Sequence, residues 1–408
     1  MYEKLYDLDA YIKEFTSNVI SAEIKIWENT EVYEVVLDKT CFFPEQGGQT
    51  CDTGKFHDPD NDAEYDVVYV YIKEDIVYHL VKPSGSKASS CLDAKEFPKI
   101  IHGIIDWNER FDKMQNHSGE HLVSGTVHRV FGLDNVGFSL TDGNCTLDFN
   151  GVFKEEDIDF IEKTVNRAVF ENIEVKVFFP SKDELEKIDY RSKKELSGKV
   201  RIVEYPGYDI CACCAPHVKH TGEIGLIKIV SAEHFKGGTR MTIRCGYRAL
   251  FDYGKKMGVL RNISRILSVP MDDADKGVER INSDLKNARF DLNGKSAELL
   301  RYRAQEHIND EMPMFFTEAV DINLLRTTVI EMTSQNTGIC CAFSGNDEEG
   351  YRYIIASEYN DCSGLLNVLR KEFGAKGGGN PKMIQGSING TMEAIRKVVS
   401  EKNRWTES

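Results

Sequence analysis

The sequence predicts an α+β protein in several domains, and three patterns carry the prediction. Strand-like and helix-like periodicities are mixed over residues 1–250, a helical repeat fills 251–311, and a smaller α/β alternation occupies 312–408. At 408 residues the chain is too long for one ordinary core. Its 41% hydrophobic and 29% charged residues are the balance of a folded chain and exclude a largely disordered one.

Residues 1–92 are expected to form a small β-barrel. Residues 32–37 and 67–72 are rich in β-branched and aromatic side chains, the composition of strands. Between them, Pro44-Glu45-Gln46-Gly47-Gly48-Gln49 is too rich in glycine to continue a strand. A mixed core is expected over 93–250. Its first helix is placed at 106–131, with Trp107, Phe111, Met114, Leu122 and Gly125 near one face. A helix at 155–170 and strands at 174–179, 199–205, 224–230 and 240–244 follow.

Within 251–311, Val278, Ile281, Leu285, Ala288, Leu292, Leu299 and Tyr302 step by threes and fours, with Lys295 as the polar intruder. That pattern suits either a coiled-coil homodimer through residues 278–302 or an amphipathic helix packed on its own chain, and Gly294 weakens the heptad. Residues 312–408 read as strands at 314–316, 339–343 and 353–356 and helices at 322–333 and 365–373. A Gly377-Gly378-Gly379 loop and a closing helix from Met392 complete that section.

No apolar run approaches the roughly eighteen residues of a membrane span, and the start from Met1 to Asp7 lacks a signal-like apolar region. A cytoplasmic protein without membrane contact is expected. The eleven cysteines are odd in number and include the neighbours Cys213-Cys214 and Cys340-Cys341, which points to buried thiols or metal ligands rather than disulfides. A net charge of −15 argues against general nucleic-acid binding. Two basic runs depart from that balance: Lys219, Lys228, Lys236, Arg240, Arg244 and Arg248, and then Arg370, Lys371, Lys376 and Lys382. Each is either a solvated face or part of a local site for a polyanion.

His117-Ser118-Gly119-Glu120-His121 places two imidazoles four residues apart, on the helix face that carries Trp107, Phe111 and Met114. Buried imidazoles must be hydrogen-bonded or bind metal. Cys213-Cys214-Ala215-Pro216-His217 adds a thiol and a third imidazole at a turn. Thiolate and neutral imidazole are ligands that zinc prefers, so His117, His121, Cys213 and His217 form a candidate tetrahedral set for one Zn2+ per chain. The plainer alternative is satisfied core histidines beside buried structural thiols. The H-x-x-E-H pattern also fits the inverted zinc peptidases, with Glu120 activating water, although those enzymes complete the site with a downstream glutamate.

Three segments occur in a telling order: Thr40-Cys41-Phe42-Phe43-Pro44-Glu45-Gln46-Gly47-Gly48-Gln49, then Met114-Gln115-Asn116-His117 through His121, then Cys213 to Val218 with Thr221-Gly222-Glu223-Ile224-Gly225. In that order they closely resemble the editing domain of alanyl-tRNA synthetase and its freestanding relatives, the AlaX proteins. Gly377-Gly378-Gly379-Asn380-Pro381 with Gln385-Gly386 is similar to the glycine-rich signature of the DHH-associated domain that ends the synthetase and the longer AlaX proteins. Two departures concern loop shape: Gln46 stands where many relatives have glycine, and Cys211-Ala212-Cys213-Cys214 replaces commoner surroundings of the cysteine.

The resemblance implies an α+β editing core, zinc on His117, His121, Cys213 and His217, and hydrolysis of the ester in mischarged Ser-tRNA(Ala) or Gly-tRNA(Ala). Alanine tRNA is then the partner. No aminoacylating segment is expected, because the chain opens on barrel strands. On this reading Glu120 is the candidate base, or else a solvent-facing helix residue. Thr40 is the candidate partner of the serine hydroxyl, or else an ordinary strand residue. Gly47, Gly48 and Gln49 are expected to approach the terminal adenosine, and Arg240, Gly377, Gly378 and Gly379 to make further substrate contacts. A tRNA-binding protein without catalysis is the remaining alternative.

Overall fold

A computed structural model of the protein describes residues 2–85, 92–192 and 200–401. Cys91, and Lys199 at the expected start of a strand, lie outside the described residues. The chain forms two compact units, Met1–Val259 and Leu260–Ser408.

The first unit opens with β1 (Glu3–Lys4), α1 (Leu5–Leu8), β2 (Glu14–Trp27), β3 (Thr30–Leu37), β4 (Lys39–Thr40), β5 (Gly54–His57), β6 (Glu64–Lys73), β7 (Ile76–Pro83) and β8 (Ile100–Ile105). Six of these strands close a barrel in the order β2-β3-β7-β6-β5-β8. Two hairpins turn on residue pairs with positive φ, Glu28 (49°) with Asn29 (64°) and Glu74 (51°) with Asp75 (68°). Such turns follow the right-handed twist of the strands they join. The barrel extends beyond residue 92, the limit expected from the sequence, to include β8. β8 pairs with both β2 and β5 and removes the open edge that each would otherwise present.

Phe15, Val35, Phe42, Phe56, Val67, Val70, Val81 and Ile101 fill the barrel. One polar ring shares that interior. His79 Nδ1 lies 3.2 Å from the Val35 carbonyl, which only accepts, so Nδ1 donates and Nε2 accepts from the Thr40 hydroxyl at 2.9 Å.

α2 (Trp107–Phe131) is the axis of the rest of the unit. The Asp106 carboxylate caps it by accepting from the Asn108 and Glu109 amides, and Gly132 ends it at φ 65°. Around it lie β9 (Asn135–Leu140), β10 (Cys145–Phe149), α3 (Glu155–Glu171), β11 (Lys176–Phe178), α4 (Lys182–Leu185), β12 (Ile202–Tyr205), β13 (Asp209–Ala212), β14 (Ile227–Phe235) and β15 (Gly238–Cys245), before α5 (Gly246–Leu267). The sheets are β14-β15-β10-β9 and β11-β12-β13. The strand expected at 224–230 starts only at Ile227, since Thr221–Ile224 forms a 3-10 turn. α2 is buried without a break from Lys113 to Val127. Glycine permits this close packing: a Cβ on Gly119 would stand 2.3 Å from Cys245 Sγ, and one on Gly125 would stand 2.5 Å from Asp209 Cβ.

The second unit contains α6 (Ala274–His307), β16 (Met314–Thr317), α7 (Ile322–Thr333), β17 (Cys340–Asn346), β18 (Gly350–Ala356), α8 (Ser363–Phe373), β19 (Lys376–Asn380), β20 (Met383–Ile388) and α9 (Met392–Ser400). Its sheet runs β16-β17-β18-β20-β19. The expected Gly377-Gly378-Gly379 loop is a strand instead, β19, paired along its length with β20. The strands approach so closely that a Cβ on Gly377 or Gly379 would lie 2.2 or 2.0 Å from a carbonyl oxygen of β20. Glycine here serves strand pairing, not a turn. Along α6, Val278, Ile281, Leu285, Leu292, Leu299 and Tyr302 are all exposed.

No helix among the described residues is long and apolar enough to cross a membrane, and every cysteine among them is free.

Burial holds His79 at a pKa of about 4, against an ordinary value of 6.5. The unfolded chain therefore takes up the proton first as pH falls, and the fold loses stability between those two values. The shift corresponds to roughly 3 kcal/mol between about pH 7 and pH 4. Denaturation curves of the wild type and His79→Gln at the two pH values should differ by that amount in their pH dependence. Equal pH dependence would place the acid sensitivity elsewhere.

Candidate metal centre

His117 and His121 leave one face of α2, while Cys213 and His217 come from the turn after β13. One ligand atom from each lies within 4.8 Å of every other. Cys213 Sγ stands 3.6 Å from His117 Nε2 and 3.3 Å from His217 Nε2. A nitrogen and a sulfur on one tetrahedral zinc would be about 3.6 Å apart.

The other ring nitrogens explain this orientation. His117 Nδ1 meets Gln49 Oε1 at 2.7 Å, and His121 Nδ1 meets Asp209 Oδ2 at 2.8 Å. His217 Nδ1 meets Tyr205 Oη at 3.0 Å and Ser118 Oγ at 3.2 Å. A proton on Nδ1 satisfies each of these oxygens and leaves the lone pair on Nε2, the atom turned toward the shared centre. Burial comes first among the causes that push His217 well below its ordinary range, followed by the charge His121 or His117 would carry if protonated and by the Arg201 guanidinium, so His217 stays neutral. Burial opposes the charge on Asp209, but hydrogen bonds from His121 and Arg191 hold its carboxyl below the usual range. Arg191 grips that carboxylate with Nε at 2.7 Å and Nη2 at 2.8 Å. Donor type, spacing, burial and outer hydrogen bonds all fit a metal.

Gln49 reaches His117 from the loop between β4 and β5. Gly47 and Gly48 have φ of 67° and 86°, and a Cβ on Gly48 would lie 2.7 Å from the Phe138 carbonyl oxygen. The loop tip exchanges hydrogen bonds with β9, through Leu140 N to Gly48 O at 2.7 Å and Thr50 N to Leu140 O at 3.1 Å. Its base is tied to α2. The Arg110 guanidinium donates to Asp52, to Cys41 O at 2.5 Å and to Ala10 O at 3.0 Å, and Lys113 Nζ donates to Cys51 O at 2.6 Å.

The solvent-facing alternative for Glu120 does not hold. Its side chain is 2% exposed, because α2 is covered on that side by β9. Oε1 accepts from Ser124 Oγ and Asn135 Nδ2, each at 2.7 Å, while Oε2 lies 3.8 Å from His121 Nε2. Thr40 bonds within the barrel, donating to His79 and accepting from Phe42 N at 3.1 Å. Arg240, on β15, grips Asp148 at 2.6 and 2.7 Å and stacks over Phe235. Its basic run is largely neutralised: Lys219, Lys228, Arg244 and Arg248 pair with Asp9, Glu162, Asp252 and Asp112. Cys213 and His217 complete the donor group, which contains no glutamate of the kind an inverted zinc peptidase would use. Gly377, Gly378 and Gly379 belong to the second unit.

Sequence reasoning passed over Arg110, Lys113, Ser118 and Ser124. Together with His117 and His121 they are polar residues recurring near helical spacing on a segment otherwise fit for a core, and that was their signal. Asp52, Tyr205, Asp209 and Arg191 carried no local signal, since each acts on a residue distant in sequence.

The Threonyl and Alanyl tRNA synthetase second additional domain matches residues 200–242, and the class II (A) tRNA synthetase family matches residues 2–94. The alanyl-tRNA editing protein AlaX-L of Pyrococcus horikoshii is 26% identical over 99% of both chains. The alanine–tRNA ligase of Ignicoccus hospitalis is 27% identical over 92% of this chain but only 40% of the ligase, so the chain spans about two fifths of the ligase's length. The alanyl-tRNA editing protein AlaX-M of Methanosarcina acetivorans is 34% identical over 56% of this chain and 92% of its own length. With the motifs in place around one buried His/Cys centre, the chain belongs to the AlaX family of alanyl-tRNA editing proteins.

Proposed function

We propose that the protein is a trans-editing hydrolase that removes serine or glycine wrongly esterified to alanine tRNA, working in the cytoplasm with one Zn2+ on His117, His121, Cys213 and His217. The observation that carries the reading is the convergence of three imidazole Nε2 atoms on Cys213, each ring pinned through Nδ1, in a member of this family. Zinc bound there would supply positive charge beside the ester and hold the pocket's shape.

The chain's own residues supply the remaining chemistry. Ser124 and Asn135 hold one oxygen of Glu120, leaving Oε2 on the side of the ligand nitrogens. Glu120 is the base: it takes a proton from water as the water oxygen bonds to the ester carbonyl carbon. The bond from that carbon to the ribose oxygen then breaks, and the ribose oxygen takes back a proton. The Gln49 carboxamide nitrogen is buried without a hydrogen-bond partner among the described residues, so a substrate oxygen is its natural acceptor. Thr40 has spent its proton on His79 and accepts from Phe42, which leaves one lone pair for a serine hydroxyl that alanine lacks. Gly47 and Gly48 bring backbone close to the terminal adenosine. Arg240 can reach a phosphate only by sharing its guanidinium with Asp148. The exposed apolar face of α6 supports pairing of two chains through residues 278–302.

Elemental analysis should find one zinc per chain, lost in His121→Ala and in Cys213→Ser, because each removes one of four ligands. Freshly purified wild type without zinc would overturn the metal assignment. Ser-tRNA(Ala) should be hydrolysed and Ala-tRNA(Ala) largely spared; cleavage of peptides without deacylation would support the peptidase reading instead. Thr40→Val should narrow the serine-to-alanine discrimination by about 1–3 kcal/mol. Glu120→Gln should keep its zinc and lower kcat by roughly a hundredfold or more. An undiminished kcat would remove Glu120 from the role of base.

A further inference from the structure

The turn that supplies Cys213 and His217 has no scaffold of its own. β12 and β13 pair from Ile202 with Ala212 to Tyr205 with Asp209, and one further bond, Cys213 N to Arg201 O at 3.1 Å, ends the ladder. Beyond it, residues 213–217 are neither helix nor strand, and no backbone-to-backbone hydrogen bond closes within them among the described residues. Pro216 has no amide to offer. Yet this stretch brings His217 Nε2 back to within 3.3 Å of Cys213 Sγ.

Two side chains from outside hold it. At the far end Ser118 Oγ, on α2, accepts from the Val218 amide at 3.3 Å and meets His217 Nδ1 at 3.2 Å. At the near end stands Arg201, the residue before β12. Its Nη1 donates to the Cys213 carbonyl at 2.9 Å and to the Ala215 carbonyl at 2.8 Å. One nitrogen thus bridges the carbonyls on either side of Cys214 and fixes how the chain bends between them. Water cannot replace it easily, because Ala215 is fully buried. Tyr6 of α1 seals that side, packing edge-on against Phe43 at 5.4 Å and clustering with Ala215, Cys213 and Cys214.

The placement of this guanidinium is not explained by ion pairing. Arg201 is 8% exposed, and its Nε is buried with no hydrogen-bond partner among the described residues. The carboxylate it pairs with, Asp7, lies 3.9 Å from that nitrogen, beyond hydrogen-bonding distance. Arg110, by contrast, holds Asp52 directly. A buried cation without a bonded carboxylate is costly, and here its bonds go to two carbonyls of the turn that carries the ligands.

We propose that Arg201 is a positioning residue of the metal centre, holding Cys213 Sγ and His217 Nε2 at ligand spacing by bridging the Cys213 and Ala215 carbonyls. Arg201 lies outside the donor group itself and acts only through the turn. Removing it lets the bend between Cys213 and His217 relax, so the metal is held less tightly and in a less regular tetrahedron. The assignment rests on the zinc reading above.

The test compares the full-length wild type with Arg201→Met and Arg201→Lys. The Kd for Zn2+, measured by competition with a chelator, should rise about 10–100-fold in Arg201→Met. Arg201→Lys keeps one charged nitrogen for the two carbonyls and should stay within a few-fold of the wild type. Each protein is also saturated with Co2+, whose absorption reports ligand geometry and the thiolate bond. The bands of Arg201→Met should shift and weaken, and those of Arg201→Lys should match the wild type. A residue that only stabilised the fold would lower the unfolding temperature of the metal-free protein and leave the saturated spectrum unchanged. Unchanged Zn2+ affinity and Co2+ spectrum in Arg201→Met would therefore overturn the positioning role and leave the zinc reading standing. Arg201→Lys as weak as Arg201→Met would also overturn it, since the bridging nitrogen would then not be what matters. A wild type that binds neither metal would refute the zinc reading and this role together.

Discussion

The candidate metal centre depends on an ion pair in which neither partner touches water. Arg110 and Asp52 are both fully buried, and their geometry satisfies the groups involved: the guanidinium also caps the carbonyls of Cys41 and Ala10, and the carboxylate also accepts the Phe43 amide at 2.6 Å. A buried pair contributes little net stability against an apolar substitute, whereas removing one partner typically costs about 3–5 kcal/mol because the other charge is stranded. Its value here is therefore positional. It clamps both legs of the loop between β4 and β5 onto α2, two turns before His117, and so sets the distance over which Gln49 meets that ring.

The same logic extends outward through the centre. The three imidazoles are each oriented by an element other than their own: Gln49 from the loop, Asp209 from β13 and Tyr205 from β12. Such outer hydrogen bonds fix the tautomer and remove rotational freedom before any ligand arrives, which is what makes a site strong at a given donor set. Because the contributors are distant in sequence, the centre forms only when barrel, helix and β-layer have all assembled.

Charge is partitioned between the two units in a way that composition conceals. In the first unit the basic run near β14 and β15 is matched by carboxylates from other elements, and exposed pairs of that kind contribute little to stability but do cancel the local field. In the second unit Arg326, Arg352 and Lys376 keep their field, since their hydrogen-bond partners are neutral or absent among the described residues. Among the described residues, an acidic chain thus keeps a group of cations whose charge no carboxylate offsets.

Much of this protein was determined by local sequence. Helical spacing placed His117 and His121 on one face, turn chemistry brought Cys213 beside His217, and β-branched runs set the barrel strands, because periodicity and ligand spacing are properties of neighbouring residues. Only the tertiary structure decided the rest. The barrel's sixth strand, the buried setting of Glu120, and the partners Asp52, Asp209 and Tyr205 depend on contacts between segments far apart in the chain. Glycine shows the same limit: a run of three reads as a loop because it tolerates any φ, but its lack of a side chain equally allows two strands to approach within a distance that no Cβ permits. Paired and unpaired cations look alike in sequence too, and folding alone determined which of them found a carboxylate.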